Sequence, residues 1–277
     1  MREPLKRALV IGRAEGVTAL FRRTSTYLSA KFVPRLVHER LGRHGYDLAE
    51  DFAEYGHPPD PFTTLHVSPD DIERFSGRAY PPYHGPDARL GVVRCGAWDR
   101  TEPETIDSAY EPRYELYREG ATRFDESVFY RSLERRFLDD VPWEDTRWYR
   151  RSLEFVEAGR PTSKGITSRE GLQQRCESID GLYRRIRRMG YRSQYNLGNY
   201  PAAAHEVSVD IGRDGALLFV NGRNRLALAR ILEIDRIPVG VYVRHRRWME
   251  RRESVATGDP LPGTPVPTDH PDLADLR

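Results

Sequence analysis

The C-terminal half of the chain contains a stretch whose apolar and polar positions predict a β-hairpin. Val207, Val209 and Ile211 alternate with polar neighbours, which is the period of a strand. Residues Gly212–Gly215 supply glycine-rich turn chemistry, and Ala216–Val220 is a short apolar run. We therefore expect two antiparallel strands joined by a tight turn.

A helix and a third strand are predicted directly after the hairpin. The helix would begin near Asn224 and end before Asp235, because the apolar residues between them recur at helical spacing. The run Ile237–Val243 is rich in β-branched residues and predicts another strand. This order of elements indicates an α+β fold with a mixed sheet and packed helices.

Helical spacing is clearest between Arg169 and Met189. Apolar residues recur there at intervals of three and four, so one face of this helix should be buried, with Gly190 as its C′ residue. Asp125–Leu138 and Trp143–Val156 show the same spacing over shorter lengths. Each of these two stretches therefore predicts a helix.

The two ends of the chain differ from its centre. Pro4–Ala30 mixes leucines with arginines and predicts a basic amphipathic helix within a basic N-terminal segment, residues 1–45. Such a helix fits an anionic membrane surface or a partner, or it packs on its own domain. Ser254–Arg277 holds five prolines and no apolar periodicity, so we expect this tail to be disordered.

The charge of the chain is balanced overall, with 44 basic against 42 acidic residues. Such a balance gives no general nucleic-acid signature, and nucleic acid is therefore the less favoured partner. The two cysteines, Cys95 and Cys176, are far apart, which excludes a disulfide scaffold or a Cys-rich zinc site and fits a reducing cytoplasm. No run of 18 apolar residues is present, so we expect a cytoplasmic protein, peripheral at the membrane if its N-terminal segment binds there.

The strongest candidate chemistry lies where the second hairpin strand meets the helix. Gly222 permits a tight turn, Asn224 can cap the first helical turn, and Arg223 and Arg225 place two permanent cations beside the helix N-terminus. Backbone N–H groups and guanidinium forks both suit phosphate oxygens. The alternative is that the arginines pair with nearby acids such as Asp210 or Asp214 and that Asn224 only caps the helix.

These residues resemble a known superfamily. The sequence N-G-R-N-R-L-A-L-A-R-I-L, followed by I-D-R-I-P-V, is similar to the G-x-x-R-x-x-A segment of ParB/sulfiredoxin proteins. Ser178–Gln194 resembles the helix, glycine and glutamine that precede the hairpin in ParB-type domains, and Leu65–Phe75 resembles their opening strand and turn. The resemblance implies a ParB-like domain over residues 61–250, interrupted by a helical insertion at about residues 77–169 that contains Asp125–Leu138 and Trp143–Val156.

In that superfamily a nucleotide phosphate sits at the start of this helix. The resemblance therefore implies that Gly222, Arg223, Asn224, Arg225 and Gln194 bind ATP, ADP or CTP with Mg²⁺. Sulfiredoxin chemistry is excluded, because arginine and asparagine stand where that family has its cysteine and histidine. Nothing after residue 248 could form the helix-turn-helix domain of partition proteins.

Phosphoryl transfer would also need a carboxylate to orient the acceptor or to hold a metal. Glu73, just after the opening strand, is the first candidate, and Asp99 beside Trp98 is the second. Asp70 is better placed to cap a helix after Pro69. Histidine spacing typical of zinc sites, a P-loop and a G-x-S-x-G elbow are all missing from the sequence.

The sequence thus favours a nucleotide-binding protein, with phosphotransfer to a small-molecule acceptor as its enzymatic form. Two alternatives remain open. One is a DNA-associated regulator or nuclease of the ParB-like type, which predicts salt-dependent duplex binding. The other is a non-catalytic adaptor that docks on a membrane or a partner through residues 1–45.

Overall fold

A computed structural model describes residues 35–49, 51–83, 88–101, 111–162, 164–259 and 269–277. Within these residues, six strands form one mixed sheet: β1 (Leu65–Val67), β2 (Arg74–Phe75), β3 (Val92–Arg94), β4 (Val207–Ile211), β5 (Leu217–Asn221) and β6 (Ile237–His245). The predicted opening strand, the hairpin and the strand that follows the hairpin are confirmed.

The strands lie in the order β1-β6-β4-β5-β2, and β3 pairs with the second half of β6. β4 runs antiparallel to β5 and parallel to β6, whereas β2 runs parallel to β5. The pairing confirms a mixed α/β architecture. It also places the turn of the hairpin at one end of the sheet and Gly222 at the other.

Nine α-helices are found in the described residues: α1 (Arg35–His44), α2 (Glu111–Arg118), α3 (Val128–Phe137), α4 (Arg147–Glu157), α5 (Arg169–Met189), α6 (Gln194–Leu197), α7 (Ala202–His205), α8 (Arg223–Ile231) and α9 (Arg246–Thr257). The helices predicted in the insertion begin later than expected, because the side chains of Ser127 and Thr146 cap α3 and α4. α5 has the predicted bounds, and Gly190 ends it with a φ of 74°.

Strand β4 is buried along its whole length, including the polar positions that alternate with its valines. The reason is a buried ion pair on the second face of the sheet. Asp210 accepts hydrogen bonds from Arg78 Nε at 2.7 Å, from Ser76 Oγ at 2.5 Å and from the backbone N–H of Val243 at 3.1 Å. A carboxylate satisfied in this way can be buried on a face that the sequence pattern assigns to solvent.

The expected disorder of residues 254–277 is wrong for the parts of this tail that the structure describes. Helix α9 continues to Thr257, and a 3₁₀ helix spans Pro271–Leu276. Asp272 is buried, where it accepts hydrogen bonds from Arg244 Nη2 at 2.6 Å and from Trp248 Nε1 at 2.8 Å. Because polar contacts of Asp272 hold this tail in place, its sequence shows no apolar periodicity. The pattern of apolar residues therefore could not predict that the tail is ordered there.

The prediction for the N-terminal segment falls only partly within the described residues. Helix α1 lies within residues 1–45, whereas the proposed amphipathic helix over Pro4–Ala30 is outside the described residues. Among the described helices, none combines the length and the apolar character that crossing a bilayer requires.

Candidate functional site

The turn into α8 depends on Gly222. Its φ of 92° lies in the left-handed region, and a Cβ at this position would meet the Cα of Val207 at 3.0 Å. Gly222 is also the N-cap residue of α8, without a side-chain capping bond. The prediction that Asn224 caps this helix is therefore wrong: its Oδ1 instead accepts a hydrogen bond from Arg175 Nη2 at 2.9 Å.

A cleft of about 340 Å³ opens in front of this turn. It is lined by residues from the 76–83 segment, α2, the loop before α5, α5 itself and the start of α8: Tyr83, Tyr117, Lys164, Arg175, Leu182, Asn221, Gly222, Arg223, Asn224 and Arg225. Of these described lining side chains, four are cationic and none is a carboxylate. The first N–H groups of a helix, which lack intrahelical acceptors, add partial positive charge at the same place.

Arg223 is held against an aromatic wall. Its guanidinium carbon lies 3.7 Å from the centre of the Tyr117 ring, and its Nη2 donates to the hydroxyl of Tyr80 at 3.2 Å. Stacking on an aromatic face stabilises a cation without neutralising it. The charge of Arg223 is therefore fixed in orientation and still acts on the cleft.

Arg175 and Lys164 bring further positive charge to the cleft. Burial lowers the pKa of Arg175, and the charge of Arg223 adds to that effect. Burial also lowers the pKa of Lys164, with Arg223 and Arg175 lowering it further. The Nε of Arg175 is buried without a hydrogen-bond partner among the described residues. Crowded cations of this kind are stabilised when an anion binds among them.

Arg225 stands between the cleft and a buried acid. Its Nη2 donates to the carbonyl of His205 at 2.7 Å, and its Nη1 lies 3.5 Å from Oε2 of Glu206. Burial raises the pKa of Glu206 to about 7, although the N–H of Gln194 and the charge of Arg225 oppose this. The expected alternative partners, Asp210 and Asp214, do not pair with either cleft arginine among the described contacts. The acid that neighbours Arg225 is Glu206.

Gln194 lies behind the cleft rather than in it. Its backbone N–H donates to Oε1 of Glu206 at 2.6 Å, and its side-chain oxygen accepts from Asn199 Nδ2 at 2.6 Å. Gln194 is buried and is not among the lining residues. It acts on the cleft only through Glu206 and Arg225.

The structure does not bring Glu73 to the cleft. The register of β2 places Arg74 opposite Leu218, so Glu73 lies near the beginning of β5, whereas Gly222 follows its end. The carboxylate of Glu73 is exposed and pairs with Arg123 Nη1 at 2.8 Å. Asp70 does not cap a helix either, because Ser68 is the N-cap of the short 3₁₀ turn there.

Asp99 is also remote from the cleft, at the turn between β4 and β5. Its carboxylate accepts hydrogen bonds from the backbone N–H of Arg213 at 2.9 Å and from the Arg213 guanidinium at 2.6 and 2.8 Å. Burial alone would raise the pKa of Asp99, but the bonds from Arg213 outweigh it and hold the pKa below its usual value. Asp99 therefore fixes the hairpin turn.

Lys164, Arg175 and Tyr117 line the cleft and were missed by the sequence reasoning. Arg175 directly precedes Cys176 in the buried stripe of α5, a position that predicts burial of its stem but not its direction. Lys164 and Tyr117 come from the inserted region and reach the cleft only through tertiary packing. No local pattern could have assigned either residue to this place.

The cleft does not fit a magnesium ion held by the protein. Mg²⁺ is bound through carboxylates and other hard oxygen ligands, and the part of the lining that the structure describes contains no carboxylate. Its two amide oxygens are engaged, since Asn221 Oδ1 accepts from the N–H of Gly222 and Asn224 Oδ1 accepts from Arg175. Over the described part of the chain, no group of three or more His, Cys, Asp or Glu side chains could hold a metal.

Comparison with known proteins gives no match: no family model, no curated protein and no solved structure matches this chain. The likeness to the ParB/sulfiredoxin superfamily stays a prediction, carried by the quoted residues alone.

Proposed function

We propose that this protein binds a nucleoside diphosphate or triphosphate, such as ATP, ADP or CTP, with its phosphates in the cleft at the start of α8. The observation that carries the proposal is the convergence of Lys164, Arg175, Arg223 and Arg225 on a cleft whose described lining residues include no acid. Cations buried in this way favour a multiply charged anion. A nucleotide phosphate chain has that charge.

The shape of the cleft supports a ligand of nucleotide size. A volume of about 340 Å³ lies at the lower end of the range for small-molecule sites. Tyr83 and Leu182 line the cleft with the cations and offer aromatic and apolar surface for a nucleoside. The phosphates would lie against the cations, and the nucleoside against these two side chains.

The proposal is one of binding, not of phosphoryl transfer. Glu73 pairs with Arg123 outside the cleft, and Asp99 is engaged by Arg213. Glu206, the buried acid behind the cleft, is separated from it by Arg225. None of the three is positioned to accept a proton from an acceptor bound beside the phosphates.

Isothermal titration calorimetry with ATP, ADP and CTP tests this proposal on the wild type and on Arg225→Gln. Each lost charge-assisted hydrogen bond removes about 1.5–3 kcal/mol, so the affinity of the variant should fall by roughly tenfold or more. Arg131→Gln is the matched control, because Arg131 is an exposed arginine of α3 paired with Glu134. Its affinity should equal that of the wild type.

Two results would reject the proposal: no heat of binding with any of the three nucleotides, or equal affinity in the wild type and in Arg225→Gln. Titration with inorganic pyrophosphate sharpens a positive result. If pyrophosphate binds as tightly as ADP, the cleft recognises the phosphates and not the nucleoside.

A further inference from the structure

Helix α1 is oriented with its apolar residues toward water. Glu39 is buried, and its carboxylate accepts a hydrogen bond from the N–H of Ala202 at 3.1 Å. Leu36, Val37 and Leu41 are 60%, 41% and 64% exposed. This is the reverse of the usual arrangement, in which the apolar face of a surface helix packs on the core. An exposed apolar face of this kind indicates a binding surface.

A run of arginines lies near this helix. The segment 184–192 contains no acidic residue and five exposed arginines: Arg184, Arg185, Arg187, Arg188 and Arg192. None of the five forms an ion pair with another described residue. Exposed apolar side chains lie within and just after the run, with Met189 at 47% and Leu197 at 50% exposure.

Helix α1 packs on the chain that directly follows these arginines. The ring of His38 stacks on Tyr200 with their centres 5.8 Å apart, and Arg35 Nη1 donates to Asn196 Oδ1 at 3.4 Å. Gly42 completes the contact, since a Cβ there would come within 2.9 Å of the Tyr200 carbonyl carbon. Helix α1 is therefore in direct contact with the segment that follows the arginine run.

We propose that α1 and the arginine run together form a docking surface for an anionic lipid bilayer. Leucines that enter the interface beside arginines that meet acidic headgroups are the combination such a surface requires. The sequence of residues 4–30, which leads into α1, has the same basic and amphipathic character. The proposal does not depend on what the cleft binds.

Charge complementarity favours a membrane over the other occupants. A second copy of the chain would bring five unpaired arginines against five, which opposes association. A nucleic acid would attract the arginines, but it offers no apolar interior for Leu36, Val37 and Leu41. A bilayer with acidic lipids satisfies both features.

Vesicle co-sedimentation of the full chain tests the proposal, with phosphatidylcholine vesicles compared with vesicles that also contain phosphatidylserine. We expect binding only when phosphatidylserine is present, and weaker binding at higher salt. Arg184→Glu with Arg188→Glu should lower the partition coefficient by roughly 25-fold or more, from about 1 kcal/mol for each basic residue. Leu36→Asp with Leu41→Asp should lower it by roughly tenfold or more.

The matched control is Arg131→Glu with Arg150→Glu, which reverses two exposed arginines that already pair with Glu134 and Asp145. It should bind vesicles far better than either surface variant. The proposal is overturned if the wild type does not bind acidic vesicles, if it binds neutral vesicles equally well, or if both surface variants bind as the wild type does. Binding of a labelled RNA or DNA duplex that only the arginine variant loses, without vesicle binding, would assign the surface to nucleic acid.

Discussion

Arginines at the two ends of the hairpin formed by β4 and β5 have different partners. At the turn, the Arg213 guanidinium meets the carboxylate of Asp99 through two short hydrogen bonds. At the other end, Arg223 lies on the ring of Tyr117 and Arg175 bonds to the amide of Asn224. The charge of Arg213 is neutralised at the turn, whereas the guanidinium of Arg175 in the cleft bonds to a neutral amide.

Two other buried arginines are also paired with carboxylates, as Arg213 is. Arg78 pairs with Asp210, and Arg244 pairs with Asp272. In each case a carboxylate compensates the desolvation of the guanidinium, which makes the pair part of the framework. Arg175 in the cleft departs from this rule, because its described side-chain partner is the neutral amide of Asn224. Under the proposed function, the phosphates of the ligand supply the compensating charge there.

The largest expected effect is on stability, and it comes from removing the Asp99 carboxylate at the hairpin turn. Asp99→Ala leaves the partly buried Arg213 without its carboxylate and should lower the free energy of unfolding by about 3 kcal/mol. Nucleotide affinity should not change, because Asp99 is remote from the cleft. Urea unfolding and calorimetry measure the two quantities.

Asp214→Ala is the control for this change, since Asp214 is an exposed residue of the same turn. It should change the free energy of unfolding by less than about 1 kcal/mol. A fall in nucleotide affinity for Asp99→Ala at unchanged fold would show that the two ends are not independent.

The next effect concerns Glu206 and pH. The pKa of this carboxyl is raised from 4.5 to about 7 in the folded state, so the folded protein binds more protons than the unfolded chain between these values. Its contribution to stability is therefore present at low pH and is lost as pH rises from about 4.5 to about 7, by about 3 kcal/mol. Glu206→Gln should remove this part of the pH dependence of unfolding.

Glu73→Gln, which alters an exposed carboxylate, is the control and should keep the wild-type pH profile of unfolding.

Protonation of Glu206 should also change the affinity of the cleft for nucleotide. Neutral Glu206 no longer attracts Arg225, so the wild type should bind ADP more tightly at pH 6 than at pH 8. Identical pH profiles for Glu206→Gln and the wild type would mean that Glu206 is ionised throughout this range.

Arg175→Met should have a smaller effect on stability, with the opposite sign. It removes a buried cation that is crowded by Arg223, and it should raise the free energy of unfolding by about 1 kcal/mol while nucleotide affinity falls. Arg136→Met is the contrasting variant, because Arg136 pairs with Asp180 at 3.1 Å and should lose stability. If both variants were destabilised alike, the distinction between paired and unpaired arginines would fail.

Magnesium should have the smallest effect. Since the lining residues within the described ranges include no carboxylate, the cations of the cleft should neutralise the phosphates themselves. The affinity for ADP in the presence of EDTA should equal or exceed that measured with Mg²⁺. Binding that requires Mg²⁺ would contradict this description of the cleft.

The sequence predicted the parts of the molecule that repeat with a local period. The hairpin, α8, β6 and the bounds of α5 follow from apolar spacing and from Gly190 and Gly222. It also assigned Arg223 and Arg225 to one place, because both lie in the first turn of one helix. The charge of the cleft was predictable to that extent.

The remaining parts depend on contacts between distant residues. Lys164 and Tyr117 reach the cleft from the insertion, and Asp272 anchors the tail through Arg244. Glu73 and Asp99 were expected near the cleft because they follow strands, but the register of β2 and the bonds to Arg213 place them elsewhere. Spacing along the chain carries no information about which end of a sheet a loop reaches.

The most direct test of the central claim is the NMR signal of the Arg175 Nε–Hε group, assigned by its loss in Arg175→Lys, during titration with ADP. This group is buried and has no hydrogen-bond partner among the described residues. If phosphate binds among the cleft cations, the signal should shift and saturate at the same dissociation constant as calorimetry gives. A signal that stays unmoved while ADP binds would place the nucleotide elsewhere and contradict the account.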